Sequence, residues 1–227
     1  MKPLIVPSLL SADFVNLQRD IRILEEAGAG ILHLDVMDGH FVPNLTFGPP
    51  VIKAIRDTTK LELDVHLMIE NAEETFLDYI AKDAKRINYL TVHYEAVTHL
   101  GQLLTEIGRE GVKPGVALNP HTPVGVVESI LSKCHHILIM TVNPGFGGQE
   151  FIEESCQRIR QLKSLIGTQG REVIIEVDGG IGLGNVGRVV EAGARLLVSG
   201  SSVFKDGQAQ ARFRALQTMA QEAGAMP

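Results

Sequence analysis

Short apolar segments alternate along the chain with longer stretches in which apolar residues recur every three or four positions. The short segments predict eight β-strands, at residues 4–7, 31–36, 61–67, 89–92, 112–118, 137–142, 173–177 and 196–199. The longer stretches predict helices between them, most clearly at residues 14–29 and 151–167. The tripeptide Ala-Gly-Ala ends the first of these helical stretches and recurs at residues 192–194, as expected of a glycine near a helix C-terminus.

Eight strand–helix units in 227 residues predict a fold of the α/β class. They match an eight-stranded (β/α)8 barrel, also called a TIM barrel, near the lower end of its size range. The alternative is an open doubly wound sheet, which usually has a glycine-rich turn after its first strand. Here the first strand runs into PSLLSADF, which contains no glycine. We therefore expect a barrel, with residues 1–227 forming one domain.

Three of the predicted strands alternate between apolar and polar residues, as in HLDVMD, LELDVHLM and VIIEVD. In a TIM barrel the outward face of each strand packs on helices and is apolar, whereas the inward face can be polar near the C-terminal mouth. The pattern therefore predicts inward-facing polar side chains on strands two, three and seven. The predicted inward set is His33, Asp35, Met37, Glu62, Asp64, His66, Met68, Glu176 and Asp178.

Four of these inward residues, His33, Asp35, His66 and Asp178, lie near the C-terminal ends of their strands. Two carboxylates in a poorly hydrated cavity repel each other, and a divalent cation would resolve that conflict. Mixed nitrogen and oxygen ligands suit Zn²⁺, Fe²⁺, Mn²⁺ or Co²⁺ better than Mg²⁺ or Ca²⁺. The alternative interpretation is that His33 and Asp35 form a structural hydrogen-bonded pair. Four such residues on three strands favour the metal site.

The remaining histidines carry a weaker signal. Five lie in predicted loops or helix flanks, and we expect them at the surface: His40, His99, His121, His135 and His136. His93 ends the fourth predicted strand, so it is either a neighbour of the site or an ordinary core residue.

Glycines cluster after the last three strands, in VNPGFGGQEF, DGG and SGSS. Glycine lets the backbone approach an anion and present its N–H groups, and TIM barrels commonly bind phosphate after strands seven and eight. The pattern therefore predicts a phosphorylated substrate, held by a set of candidates that comprises Gly147, Gly148, Gly179, Gly180, Gly200 and Ser201.

The composition of the chain argues against some classes of binding partner. The net charge is −6 and no cluster of lysine or arginine occurs, so neither nucleic acid nor an anionic membrane is expected as a partner. An anionic substrate must then be held by local dipoles or by a metal. Two cysteines are too few for a disulfide framework, and the interrupted apolar start MKPLIVPSLLSADF is not typical of a secretory signal. We expect a cytoplasmic protein.

Seven motifs, taken in order along the chain, resemble those of the ribulose-phosphate 3-epimerase family of the pentose phosphate and Calvin pathways. They are PSLLSADF, HLDVMDGHFVPN, DVHLM, GVALNPHTP, MTVNPGFGGQEFI, EVDGG and SGSSVF. The resemblance extends from Pro7 to Phe204. It implies a metal-dependent epimerase that interconverts D-ribulose 5-phosphate and D-xylulose 5-phosphate at C3 through an enediolate, and it implies a homo-oligomer.

The resemblance also implies roles for individual residues. His33, Asp35, His66 and Asp178 would bind one divalent metal ion, and Asp35 and Asp178 would be the catalytic acid and base on opposite faces of the substrate. The remaining substrate-binding positions that it implies are Ser8, His66, Met37, Met68, Met140, Gly145, Phe146, Gly147, Gly148, Asp178, Gly179, Gly180, Gly200 and Ser201.

The sequence disfavours three other functions. An epimerase for a six-carbon ketose phosphate, such as allulose 6-phosphate, is disfavoured because both glycine sets, GFGG and DGG, are intact. Barrel decarboxylases and aldolases resemble one another in an Asp-x-Lys-x-x-Asp strand motif. Strand two here reads HLDVMDG and has no lysine. A non-catalytic phosphosugar-binding protein would have no need of two opposed acids.

Overall fold

The computed structural model describes residues 1–80 and 87–225. Its eight strands are β1 (Leu4–Pro7), β2 (Ile31–Met37), β3 (Glu62–Met68), β4 (Ile87–His93), β5 (Lys113–Leu118), β6 (His136–Met140), β7 (Ile174–Asp178) and β8 (Leu196–Ser199). Every predicted strand is confirmed with its ends displaced by at most two residues, and β1 and β8 have the predicted bounds.

The strands are all parallel and follow the order β1-β8-β7-β6-β5-β4-β3-β2. A parallel bridge between Ser8 and His33 joins the two ends of this sheet and brings β1 against β2. The predicted (β/α)8 TIM barrel is therefore confirmed. Because the strands run the same way, all of their C-terminal ends open at one mouth.

Helices connect the strands around the outside of the barrel. They are α1 (Leu17–Ala27), α2 (Pro49–Thr58), α3 (Ala72–Ile80), α4 (Leu100–Arg109), α5 (Ser155–Thr168), α6 (Val186–Ala192), α7 (Ser201–Phe204) and α8 (Ala209–Ala225). A 3₁₀ helix, Val124–Lys133, takes the place of an α-helix after β5. Within the described ranges, no helix has both the length and the apolar character needed to cross a membrane.

The first predicted helix begins later than expected. Residues Phe14–Asn16 form a short 3₁₀ helix, because the side chain of Asp13 accepts a hydrogen bond from the Val15 N–H and caps that turn. The α-helix then runs from Leu17 and ends at Gly28, whose φ of 94° is easily adopted by glycine.

The two faces of the strands divide as predicted. The outward apolar residues of β2, β3 and β7 belong to the large core between barrel and helices, represented by Leu34, Val65 and Val177, each with no more than trace exposure. Smaller apolar clusters fill the inside of the barrel, including Val6, Ile31 and their neighbours. The polar set of β2, β3 and β7 is therefore directed inward, among these clusters.

One histidine prediction is wrong. His136 begins β6 inside the barrel and is fully buried, with its Nε2 2.7 Å from Thr91 Oγ1. The missing side chain of Gly115 makes the space, since a Cβ there would lie 2.0 Å from the same nitrogen. His135 is partly buried, while His40, His99 and His121 are exposed, as predicted.

Candidate active site

Strand register assembles the predicted ligands. Asp35 on β2 lies beside His66 on β3, and one step deeper His33 lies beside Asp64. Asp178 ends β7, which is opposite β3 in the closed barrel. Because parallel strands end at one mouth, these side chains converge there from both sides of the barrel.

The four residues predicted to bind a metal lie together. One ligand atom from each of His33, Asp35, His66 and Asp178 is within 4.8 Å of the others. His33 Nε2 is 3.2 Å from Asp35 Oδ1. His66 Nδ1 is 3.5 Å from the same oxygen and 3.9 Å from Asp178 Oδ2. The cluster is a compact set of two nitrogens and carboxylate oxygens.

The two aspartates differ in their affinity for a proton. Burial alone would raise the pKa of Asp35, but the charge of His33 and the close approach of the His33 and His66 rings lower it far below its ordinary value. Burial and the charge of Asp35 instead raise the pKa of Asp178 from 3.8 to about 7. In the absence of a cation, Asp35 is therefore ionised at neutral pH, while Asp178 can hold or release a proton.

The donor set fits a divalent cation. His33 Nε2 and His66 Nδ1 are buried, and neither has a hydrogen-bond partner in the part of the chain that the structure describes. A buried nitrogen without a partner is costly, and so are two neighbouring carboxylates. A cation between them would satisfy both nitrogens and reduce the repulsion between Asp35 and Asp178. This buried cluster could therefore hold one metal ion.

A second layer of acids lies beneath the cluster. His33 Nδ1 is 2.6 Å from Asp64 Oδ2, so the imidazole donates to this carboxylate and presents Nε2 to the mouth. Burial and the charge of Asp64 raise the pKa of Glu176 well above its ordinary value, so this acid keeps its proton. The alternation of β3 and β7 predicts that Asp64 and Glu176 point inward but gives neither a role.

A cavity opens above the cluster. Ser8 reaches it from the end of β1, and its Oγ donates to Asp35 Oδ2 at 2.5 Å. Met37 and Met68 pack together with Val42, and Met140 packs in a separate apolar cluster. All three methionines line the cavity. His66 is fully buried behind it and does not line it.

The glycine loops line the other side of the same cavity. The predicted residues found there are Gly145, Phe146, Gly147, Gly148, Gly179, Gly180, Gly200 and Ser201. Gly180 has a φ of 66°, and a Cβ at this position would lie 2.7 Å from the Phe151 backbone nitrogen. Asn44 Nδ2 donates to the Gly145 carbonyl, which ties the loop after β6 to the loop after β2.

Several residues that line the cavity are not among those predicted from the sequence, for example Ser11 and Gln149. Ser11 lies on the 3₁₀ helix Leu9–Ser11, one turn after Ser8. A serine repeated at that spacing in PSLLSADF is the signal that could have identified it. Gln149 donates to the Asn143 and Phe146 carbonyls and so shapes the glycine loop from within. Its role depends on the loop conformation, for which the sequence carries no pattern.

The chain matches the model of the Ribulose-phosphate 3 epimerase family over residues 4–204. It is 48% identical to the ribulose-phosphate 3-epimerase of Bacillus subtilis, over 88% of this chain and 91% of that protein. The chloroplastic ribulose-5-phosphate-3-epimerase of Arabidopsis thaliana is 45% identical, over 88% of this chain and 71% of that protein. The ribulose-phosphate 3-epimerase of Methanocaldococcus jannaschii is 41% identical, over 95% and 90% respectively.

More distant solved structures share the fold. A 3-hexulose-6-phosphate synthase superposes with a TM-score of 0.66 at 16% identity, covering 96% of this chain and 99% of that one. A Mycobacterium tuberculosis tryptophan synthase chain superposes with a TM-score of 0.70 at 13% identity, covering 97% and 93%. At this level of identity the likeness concerns the barrel alone.

Proposed function

Because the chain belongs to the ribulose-phosphate 3-epimerase family and is an isomerase, we propose that it interconverts D-ribulose 5-phosphate and D-xylulose 5-phosphate. The reaction inverts C3 through an enediolate. One observation carries the proposal in this chain: two carboxyl groups, Asp35 and Asp178, reach one cavity from different strands and lie beside the same two histidines. The fold by itself would not distinguish an epimerase from other barrel enzymes.

Asp35 and Asp178 are the proposed proton carriers. Inversion requires a proton to leave one face of C3 and another to arrive on the opposite face, so it needs one acid–base group per face. The strands β2 and β7 are not neighbours in the barrel, which supports approach from two directions. In one direction ionised Asp35 removes a proton while protonated Asp178 delivers one, and the roles exchange in reverse. Ser8 holds Asp35 in place through its hydroxyl.

His33, Asp35, His66 and Asp178 are the proposed ligands of one divalent ion, which would be Zn²⁺, Fe²⁺, Mn²⁺ or Co²⁺. The two buried imidazole nitrogens without partners among the described residues support this proposal. When bound, the ion supplies Lewis acidity that stabilises the negative charge of the enediolate. Metal analysis of the purified protein, followed by chelation, tests it. We expect chelation to abolish activity reversibly, whereas full activity in verified metal-free protein would contradict the metal requirement.

The glycine loops are the proposed phosphate site. The cavity lining includes Gly147, Gly148, Gly179, Gly180 and Gly200, from the loops after β6, β7 and β8. This supports a substrate with its phosphate at these loops and its carbonyl end at the aspartates. Backbone N–H groups are the expected donors, since the net charge of −6 provides no general attraction for an anion. Met37, Met68 and Met140 would enclose the carbon that reacts.

We also propose that the protein is a cytoplasmic homo-oligomer. Exposed apolar side chains support the assembly: Phe14, Val15 and Leu45 are 48%, 91% and 74% exposed, and Phe14 contacts Phe47. Apolar surface of this kind is typical of protein interfaces. Both cysteines are free, which is consistent with a reducing compartment. Light scattering of the purified protein tests the assembly, and a monomeric mass would contradict it.

A comparison of turnover on two sugar phosphates tests the proposed substrate preference. We expect turnover of D-ribulose 5-phosphate, with much slower turnover of D-allulose 6-phosphate under the same conditions. The opposite preference would assign the chain to a six-carbon substrate instead. Absence of turnover on both, in protein shown to contain a bound metal ion, would contradict the proposed activity.

A further inference from the structure

Behind His66 lies a chain of polar groups that the proposed reaction does not use. His66 Nε2, on the side away from the cavity, is 2.9 Å from His93 Nε2. The two ring planes are inclined by only 22°, and the ring centroids are 4.9 Å apart. His93 Nδ1 in turn is 3.3 Å from Glu95 Oε2. Both histidines are fully buried.

A hydrogen bond between two neutral imidazoles needs one ring nitrogen with hydrogen and one without. A carboxylate only accepts, so Glu95 requires the hydrogen of His93 to lie on Nδ1. Neutral His93 then has a bare Nε2 that accepts from His66 Nε2–H. Neutral His66 is left with a bare Nδ1, which is the atom that faces Asp35 and Asp178. Glu95 therefore determines which nitrogen carries the hydrogen in His93 and, through it, in His66.

Glu95 is well fixed for this task. Its Oε1 accepts from the Asn119 backbone N–H at 2.8 Å and from the Thr122 hydroxyl. Burial alone would raise the pKa of Glu95, but the hydrogen bonds from His93, Thr122 and Asn119 lower it to about 2. Its side chain is 19% exposed, whereas that of His93 has no exposure. Because three donors hold this carboxylate in place, the hydrogen bonds can run in only one direction, from His66 to His93 to Glu95.

We propose that His93 and Glu95 are positioning residues that keep the hydrogen of His66 on Nε2 and leave Nδ1 free to bind a divalent cation. The inference rests on the proposed metal site. His33 has the matching arrangement, since Asp64 accepts from its Nδ1 and leaves Nε2 for the cation. The difference is that His66 is controlled through a second imidazole, so a change two groups away alters the ligand.

Glu95→Gln should reverse the direction of the hydrogen bonds between residue 95, His93 and His66, while the side chain at position 95 keeps its shape. The Gln amide oxygen is expected at the position of Oε1, where the Asn119 N–H and the Thr122 hydroxyl donate. The amide NH₂ then faces His93 Nδ1 and donates to it. His93 must present its hydrogen on Nε2, and the hydrogen of His66 moves to Nδ1, where it blocks the cation.

The experiment has two measurements. Ring ¹⁵N NMR of histidine-labelled, metal-free protein at about pH 8, where ordinary histidines are neutral, identifies the nitrogen that carries hydrogen in His66. Competition with a chromophoric chelator measures Zn²⁺ affinity. We expect hydrogen on Nε2 in the unaltered protein and on Nδ1 in Glu95→Gln. Zn²⁺ affinity should fall by about 10- to 100-fold in the variant, as for other groups that orient metal ligands.

Two further variants separate this effect from general damage. Glu73→Gln alters a pair remote from the cluster, in which partly buried Glu73 lies 3.4 Å from Nδ1 of exposed His99, and should change neither measurement. Glu95→Asp keeps a carboxylate and should retain the hydrogen of His66 on Nε2. If Glu95→Gln does not fold, the NMR result for the unaltered protein and for Glu95→Asp still decides the matter.

Hydrogen on His66 Nδ1 in the unaltered metal-free protein would overturn the inference. So would a Glu95→Gln protein that keeps both the hydrogen position and the Zn²⁺ affinity of the unaltered chain. A failure of the proposed function shows elsewhere, as an unaltered protein that binds no Zn²⁺ or does not epimerise the pentose phosphates. The hydrogen position is measured without metal or substrate and is independent of that result.

Discussion

The two sides of the barrel mouth are built from different parts of the chain. On the side of β2 and β3, the cavity is lined by side chains from the strands themselves, namely Asp35, Met37 and Met68. His33 and His66 are packed against Asp35 behind this wall. On the side of β6 to β8, the cavity is formed by loops whose glycines carry no side chain, such as Gly180 and Gly200. Asp178 ends β7 and lies between the two.

The two sides are suited to different parts of the proposed reaction. Strands hold side chains rigidly, and proton transfer and metal binding need fixed geometry. Backbone N–H groups in a glycine loop bind an anion without introducing a charge that titrates. Changes on the strand side should therefore act on kcat, whereas changes on the glycine side should act on KM.

Asp178→Asn should lower turnover by several orders of magnitude. The amide cannot exchange a proton with C3, and loss of a general acid–base group alone costs about 10²–10⁴-fold. Loss of a metal ligand adds to that cost. Steady-state kinetics on D-ribulose 5-phosphate measure the effect, with circular dichroism to show that the fold is retained. Asp57→Asn, at an exposed position on α2, is the matched control and should leave kcat unchanged. A near-normal rate in the Asp178 variant would mean that a different group transfers the proton.

Gly180→Ala should raise KM by at least about tenfold and lower kcat much less, because it removes binding common to ground state and transition state. The added Cβ would lie 2.7 Å from the Phe151 nitrogen, at a φ of 66° that side chains rarely adopt, so the loop must move. Gly184→Ala, in the same connection but with no atom within 4 Å of the new Cβ, is the control. An unchanged KM with a lowered kcat would remove the distinction between the two sides.

The smallest effect concerns stability and pH in the metal-free protein. The pKa of Asp178 is raised to about 7 by burial and by Asp35. Between pH 4 and pH 7 the folded state keeps this proton while the unfolded state loses it, so stability falls as pH rises. Asp178→Asn removes the effect. The stability of the original chain relative to the variant, from urea unfolding, should therefore decrease over this range and stay level above it. A relative stability that increases would mean that Asp178 is ionised in the folded protein.

Much of the fold could be predicted because local patterns encode it. The alternation in LELDVHLM is sufficient to assign Leu63 to the helix side and His66 to the interior, since each strand buries its two faces in different surroundings. The same alternation on β2 and β7 predicted which side chains form the proposed metal-binding cluster, and the structure brings the four together.

The remaining features depend on contacts between distant residues. His136 looked like a loop residue because the apolar segment begins at Ile137, and its burial depends on the absence of a side chain at Gly115 on a neighbouring strand. The contact between His66 and His93 likewise follows from the register of β3 and β4, not from any spacing along the chain. Such contacts leave no periodic pattern in the sequence.

In the proposed reaction, Asp35 and Asp178 exchange protons with C3 from opposite faces. Conversion of D-ribulose 5-phosphate in D₂O, followed by NMR of the product, is the decisive test, because carboxyl groups exchange their protons with water between turnovers. We expect D-xylulose 5-phosphate that carries deuterium at C3. Product that retains the original hydrogen at C3 and contains no deuterium from the solvent would contradict the proposed proton exchange.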